Sequence, residues 1–331
     1  MTTRITHPLP HGQGIAVEQR GRVLVARLHG GSRGEYGPAM FAGLEALVGR
    51  AESDDNVGAV VITGAHPDRF GHADIQWLQQ AGAGSPAVGP RMLSQALRVA
   101  RAVRLIKGAR RLLGRTPLGG AIELVDFHEM LCRINDCGTV FIAAINGTAV
   151  GLGSEIALAC DFRIMADGDY VVGQPEILLG LCPGGGGTQR LSRLVGPRQG
   201  LRLMLDGGGL DPASALAIGY VDDVVPPDEL IDRAVALGDR LARRLKPTVA
   251  AIKRSVYTGA TRSLHDGLRV ESAEFLSTLA SPEAQKAMRA YVKRTDERGD
   301  LPLYDRSTHN KAANSGVFDR PRRVTSVAKP D

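Results

Sequence analysis

An α/β fold is predicted: a core of alternating strands and helices, followed by a helical region. Three observations carry it. From residue 22 to about 210, short runs rich in Val, Leu and Ile alternate with stretches of helical periodicity. After about residue 211 the strand-like runs stop and helical spacing continues through five segments. Apolar residues make up 43% of the 331 residues and charged residues 23%, enough for one sizeable buried core.

The elements follow in order. Residues 1–20 read as a loose N-terminal arm. The run 22–29 (RVLVARLH) is a strand, 30–37 a Gly-rich loop and 40–51 a helix. Residues 57–63 (VGAVVIT) form a strand, and 74–80 form a short helix with Asp74 at its N-cap. Residues 82–89 are a small-residue linker. The segment 91–113 has helical spacing and is strongly basic. A further amphipathic helix covers 122–134, a strand 140–145, and a Gly-rich turn at 151–153 enters a helix over 154–160. Short strands are expected at 161–166 and 170–173, and the 183–187 turn opens another helix. Five helices come next: 212–218, 228–245, 248–257, 264–279 and 282–294. The last stretch, 296–331, is polar, carries Pro302, Pro321 and Pro330, and reads as an irregular tail. The expected units are thus an arm (1–20), a core (21–210) with a basic helical insertion at 82–120, a helical region (211–295) and the tail.

Charge and cysteine content exclude several classes. The net charge is +6, yet the eight basic residues from Arg91 to Arg115, with no acid among them, leave the remainder at about −2. A general nucleic-acid surface is therefore not expected. The basic helix has three readings: a solvated face over an apolar underside, an attractor for phosphates or an acidic partner, or a contact to an anionic membrane. Cys132, Cys137, Cys160 and Cys182 lack the paired spacing of a structural zinc site, so no metal is expected. No apolar run approaches the ~20 residues needed to span a bilayer. The polar start MTTRITHPLPHGQG has no secretory h-region, and a cytoplasmic chain is the expectation.

Three segments hold the candidate chemistry: Arg69-Phe70-Gly71-His72-Ala73-Asp74-Ile75, then Asn146 through Glu155, then Gly173-Gln174-Pro175-Glu176 with the glycine run 184–187. A Gly-rich turn entering a helix supplies backbone N–H donors and a positive dipole end, which can hold a developing oxyanion. Two carboxylates in different surroundings can divide acid and base work. Glu155 sits just inside a helix and Glu176 at a strand end, both among apolar residues that should raise their pKa. Glu155 also reads as a first-turn acid favoured by the helix dipole, and Glu176 as a solvated strand end.

FIAAINGTAVGLGSEIALACDFRIMA followed by GQPEILLGLCPGGGGTQRL resembles the crotonase, or enoyl-CoA hydratase/isomerase, superfamily. Weaker likeness runs from about residue 22 to 294. The resemblance implies a spiral of β-β-α turns with a C-terminal helical region that mediates trimers, often paired into hexamers. It implies oxyanion-hole N–H donors at Ala73 and Leu152, and an acid/base pair at Glu155 and Glu176. It implies that His72, Asp74, Ile75 and Gly151 line the CoA-bearing substrate, and that Tyr291 and Lys293 of the last helix help hold CoA, sometimes across a subunit boundary. No cofactor is implied beyond the coenzyme A that is part of the substrate. The implied reaction is hydration of a 2-enoyl-CoA. Isomerisation, hydrolysis or C–C cleavage of an acyl-CoA, or a non-catalytic CoA-binding subunit, are the alternatives. The chain departs from the family pattern at Leu152 and His72, where smaller residues are usual, in the longer 82–120 stretch, and at Arg33-Gly34-Glu35-Tyr36 in place of Asn-Ala-Leu.

Overall fold

The computed structural model describes residues 4–6, 13–83, 88–103, 106 and 118–318. Arg104, Lys107, Arg110, Arg111 and Arg115 of the basic segment, and residues 319–331 of the expected tail, lie outside the described residues.

The chain opens with β1 (Arg4–Thr6), β2 (Gln13–Arg20) and β3 (Val23–Gly30), joined antiparallel. Over 4–6 and 13–20 this corrects the expected loose arm, whose remaining residues lie outside the described ones. In β2 the residues Ile15 and Val17 alternate with more polar neighbours and pack on the core. Gly21, at φ 61°, makes the tight turn that folds β2 back on β3. The alternation is short and half polar, so it is weak until β3 lies beside it.

The following elements are β4 (Glu35–Tyr36), α1 (Pro38–Ser53), β5 (Ala59–Gly64), β6 (Arg69–Ala73), α2 (Ile75–Ala83), α3 (Pro90–Val103) and α4 (Leu118–Asp136). Then come β7 (Val140–Ile145), β8 (Thr148–Val150), α5 (Leu152–Ala159), β9 (Phe162–Ala166) and β10 (Val172–Gly173). After a 3₁₀ turn over Glu176–Leu179 the chain forms α6 (Gly187–Val195), α7 (Pro197–Asp206), α8 (Pro212–Ala217) and β11 (Asp223–Val225). The C-terminal helices are α9 (Leu230–Leu241), α10 (Lys246–Tyr257), α11 (Leu264–Leu279), α12 (Pro282–Arg298) and α13 (Arg306–Ser315).

One sheet has the order β1-β2-β3-β5-β7-β9-β11, the other β10-β8-β6-β4. From β3 to β11 successive strands fall alternately into the large and the small sheet, and all these pairings are parallel. Each turn thus adds one strand to each sheet and then a helical segment, which is the β-β-α spiral. The large sheet is covered on both faces. Leu24, Val60, Ile62, Phe141 and Ala143 face the main core with α1, α4 and α5. Val23, Val25, Ala59, Val61 and Ile142 face α9. Double coverage explains why β5 and β7 read as unbroken apolar runs.

A buried ion pair pins α10 to this sheet. Lys253 Nζ lies 2.7 Å from Asp161 Oδ2 and 2.8 Å from the Thr139 carbonyl. The Asp161 carboxylate also accepts from the Phe141 N–H at 2.8 Å and the Tyr257 hydroxyl at 3.1 Å. By contrast, α11 and α12 bury no residue, and Leu264, Phe275, Leu276 and Val292 stand exposed on them.

On α3, Arg91, Arg98 and Arg101 are exposed, Ala100 is buried on Ile122 and Val125 of α4, and Arg101 pairs with Glu129 at 3.0 Å. The described part of this helix carries its arginines in solvent and packs Leu97 and Ala100 on α4, while Met92, Leu93 and Val99 are exposed as well. The structure corrects the expected irregular tail within 296–318. Helix α12 runs on to Arg298, and α13 forms because Asp305 accepts from the Thr308 N–H at 2.8 Å while Gly316 closes the far end in the left-handed region. Among the described residues no helix is long and apolar enough to cross a membrane.

Candidate active site

Strand β6 supplies the first part of the site. The His72 N–H donates to the Gly34 carbonyl at 3.1 Å and the Asp74 N–H to the Tyr36 carbonyl at 2.9 Å, both toward β4. Successive N–H groups of a strand point to opposite edges. The Ala73 N–H therefore faces the β8 side, past Gly71–Ala149, the last register pair with β8. The strand is braced from behind by Tyr36, whose hydroxyl donates to the Phe70 carbonyl and whose ring fills the space where a Cβ on Gly71 would stand.

Helix α5 supplies the second part. Gly151 (φ 53°, ψ −123°) turns the chain out of β8, and its own N–H is held by the Gly173 carbonyl at 3.1 Å. The first helical bond runs from the Glu155 N–H to the Gly151 carbonyl at 2.9 Å. The N–H groups of Leu152, Gly153 and Ser154 consequently have no partner within the helix, at its positive end. A Cβ on Gly153 would overlap the Gly71 carbonyl. The start of α5 and the end of β6 are therefore in backbone contact, bringing Ala73 and Leu152 onto adjoining elements. The Leu152 side chain is buried, joining the same core cluster as Ala73. Its bulk is absorbed by packing.

Glu155 lies in the first turn of α5 and is only 3% exposed. Its Oε1 accepts from the Gly185 N–H at 2.7 Å and the Gly187 N–H at 2.9 Å. Burial is the chief reason its pKa rises from an ordinary 4.5 to about 7. The two N–H donors and Arg190 oppose the rise, and the charge on Glu176 adds to it. Phe127 forms part of the wall beside it: a Cβ on Gly185 would overlap Glu155 Oε2 and stand 3.1 Å from Phe127 Cε1. Phe127 in turn packs on Phe41 (centroids 4.6 Å apart), which meets Trp77 edge-on at 5.9 Å.

Glu176 begins the 3₁₀ turn after β10, and burial pushes its pKa up too. A Cβ on Gly151 would lie 3.3 Å from Glu176 Oε1 and 4.0 Å from His72 Nε2. Glu176 and His72 therefore flank the glycine that precedes Leu152. The other ring nitrogen of His72, Nδ1, is 2.6 Å from the Ala73 carbonyl and so donates to it. One further cavity, of about 250 Å³, is lined by His72, Gly71, Arg33, Arg69, Val150 and Tyr170.

The structure thus brings together Ala73, Leu152, Gly151, His72, Glu155 and Glu176. Asp74 caps α2, accepting from the Trp77 N–H at 2.9 Å, and Ile75 packs on the core. Tyr291 and Lys293 are elsewhere. The Tyr291 ring meets Phe318 at 5.1 Å, and Lys293 is exposed 3.9 Å from Glu297, lining an open cleft of about 700 Å³ with Leu279, Met288 and Val292. Among the described residues neither is bonded to β6, to Glu155 or to Glu176. Sequence reasoning missed Phe127, Ser154, Gln174 and Tyr220, which touch or support the glutamates. Gln174 and Ser154 lie inside the quoted motifs, two residues before Glu176 and one before Glu155. Phe127 and Tyr220 carry no local signal.

A family model described as enoyl-CoA hydratase/isomerase matches residues 121–298. The chain is 30% identical over 258 residues to a short-chain-enoyl-CoA hydratase of Clostridium acetobutylicum, covering 77% of this chain and 85% of that protein. It is 37% identical over 170 residues to a probable mitochondrial enoyl-CoA hydratase of Dictyostelium discoideum, and spans 61% of that relative's length and 50% of its own. Among solved structures, one described as an enoyl-CoA hydratase from Geobacillus kaustophilus superposes with a TM-score of 0.70 at 25% identity, covering 89% of this chain and 97% of that one.

Proposed function

The chain belongs to the enoyl-CoA hydratase/isomerase family, and from that premise we propose that it adds water across the α,β double bond of a 2-enoyl-CoA thioester. The observation that carries this reading is the buried Glu155 and the half-buried Glu176, both with raised pKa, beside a helix start whose first N–H groups have no partner within the helix. The thioester oxygen rests on the N–H groups of Ala73 and Leu152, which stabilise the enolate as charge develops there. One carboxylate takes a proton from water as its oxygen bonds to Cβ. The other delivers a proton to Cα, so water is added whole. A group titrating near 7 has both forms available at neutral pH, which suits Glu155 to this work. His72, Asp74, Ile75 and Gly151 border the CoA-bearing part of the substrate in this reading. The names of the Clostridium and Dictyostelium relatives support the reaction type.

Self-association as a homotrimer or a hexamer is part of the reading. It is supported by the apolar residues left uncovered on α11 and α12. Tyr291 and Lys293, remote from the glutamates of their own chain, would then meet CoA held by a neighbouring subunit.

The test is hydration of crotonyl-CoA, followed by loss of its ultraviolet absorbance. Glu155→Gln and Glu176→Gln should each lower kcat by at least about 1,000-fold while CoA binding persists. Full activity in both variants would overturn the reading. A second reaction is favoured by one observation: the His72 ring, with Nε2 beside Gly151, adds a third proton-transfer group next to the two glutamates. A double-bond shift needs only proton transfer between carbons, and product analysis with a 3-enoyl-CoA separates it from hydration.

A further inference from the structure

A buried line of polar side chains ends on Glu176. Tyr220, Ser154 and Gln174 are each at most 1% exposed. The Tyr220 hydroxyl is hydrogen-bonded to Ser154 Oγ. Ser154 Oγ is 2.8 Å from the Gln174 amide. The amide has one orientation that gives both its ends a partner: its oxygen accepts from Ser154 Oγ, and its nitrogen donates to Glu176 Oε1 at 2.9 Å.

That orientation sets a direction along the whole line. Ser154 uses its only proton on Gln174, so its oxygen must accept the proton of Tyr220. Tyr220 is a dependable donor, because burial pushes its pKa up to about 12 and it stays protonated. Each bond polarises the next in the same sense, and a line of donors ending on a carboxylate strengthens the last bond. Both ends are anchored. Arg163 Nε holds the Tyr220 carbonyl at 2.8 Å. The Gln174 amide lies where a Cβ on Gly187 would stand, and the Gly187 N–H holds Glu155. Gln174 is therefore wedged between the backbone that fixes one glutamate and the carboxylate of the other.

A bland account, in which these groups merely satisfy one another, leaves their placement unexplained. Phe at 220 and Ala at 154 would fill much of the same space without burying two hydroxyls. We propose that Tyr220 and Ser154 are positioning residues for Glu176, holding the Gln174 amide so that its N–H donates to that carboxylate. The inference rests on Glu176 as a reacting group, but its geometry does not depend on which acyl-CoA is processed.

The hydrogen bond from Gln174 favours the ionised carboxylate. Loosening it should raise the pKa of Glu176. The experiment is a carbon-13 NMR titration of protein labelled at the glutamate carboxyls, with the Glu176 signal assigned from its absence in Glu176→Gln. In Tyr220→Phe, which removes only an oxygen, and in Ser154→Ala, Glu176 should titrate about one pH unit higher than in the unsubstituted protein. With enoyl-CoA as substrate, kcat should fall roughly 10-fold with KM within about two-fold, and the double variant should lose little more than either single one. An unchanged Glu176 titration in Tyr220→Phe overturns the inference, as does a double variant whose losses multiply. If the titration moves but the unsubstituted protein hydrates no enoyl-CoA, the inference stands and the hydratase reading falls.

Discussion

Gly153 and Gly71 meet backbone to backbone, with no room for a Cβ on residue 153 beside the Gly71 carbonyl. This contact sets how far apart the N–H groups of Ala73 and Leu152 stand. Gly153→Ala should push α5 away from β6. Since about 1 Å of misplacement can cost 100-fold, kcat should fall by at least that factor. Circular dichroism and steady-state kinetics on the same sample check that the loss is local.

Glu155 also links stability to pH. A carboxyl whose pKa is higher when folded binds its proton more tightly when folded. Its stabilising share is therefore full below 4.5 and is lost as pH rises through about 7. Glu155→Gln keeps an oxygen for the Gly185 and Gly187 donors but cannot ionise. Near pH 8 the variant should be more stable than the unsubstituted protein, by roughly 2–3 kcal/mol. Near pH 4 the two should converge. Urea titrations at both values measure this.

Phe127 and Glu155 both border Gly185, so the ring forms part of the wall around the carboxylate. Phe127→Ala should open a cavity costing about 3–4 kcal/mol and hydrate the carboxylate. The Glu155 pKa should then fall from about 7 toward its ordinary 4.5, and the limb of the pH–rate profile that reports it should move down. A profile that keeps its shape would mean that other groups desolvate Glu155.

Asp161 and Lys253 form a buried pair. Asp161→Ala alone leaves the ammonium unpaired against the Thr139 carbonyl and should cost about 3–5 kcal/mol. Adding Lys253→Met should recover much of that loss, because the unpaired charge is then gone too. Chemical unfolding of the single and double variants gives both numbers.

Gly151, Leu152 and Glu155 occupy one turn and one helix start, so their closeness was legible in the sequence, while the roles assigned to them came from the resemblance of the surrounding motif. Glu176 follows two residues after Gln174 in the same way. What was not legible depends on residues far apart in the chain. The β2 strand is recognisable only beside β3. Helix α13 is short and polar, and it rests on caps at Asp305 and Gly316 in a stretch whose prolines suggest disorder. Tyr220 reaches Ser154 across 66 residues, and nothing around it distinguishes that tyrosine from a core one. Leu152 stands out in the sequence as larger than the usual residue there, and only the folded chain shows it buried in the core cluster.

The strict exchange of strands between two sheets has a consequence for how such a chain can change. In sequence, residues 82–120 all lie on the arc of chain that joins β6 to β7. The chain must leave β6 and return at β7 whatever the arc contains, and doubling a flexible loop costs only about 0.6 kcal/mol in closure entropy. Length can therefore be inserted, exchanged or decorated with charge there while the register of β6 on β8 stays as it is. The spiral separates the part of the molecule that must be conserved in geometry from a part free to diversify, and this chain has placed its densest run of positive charge in the second.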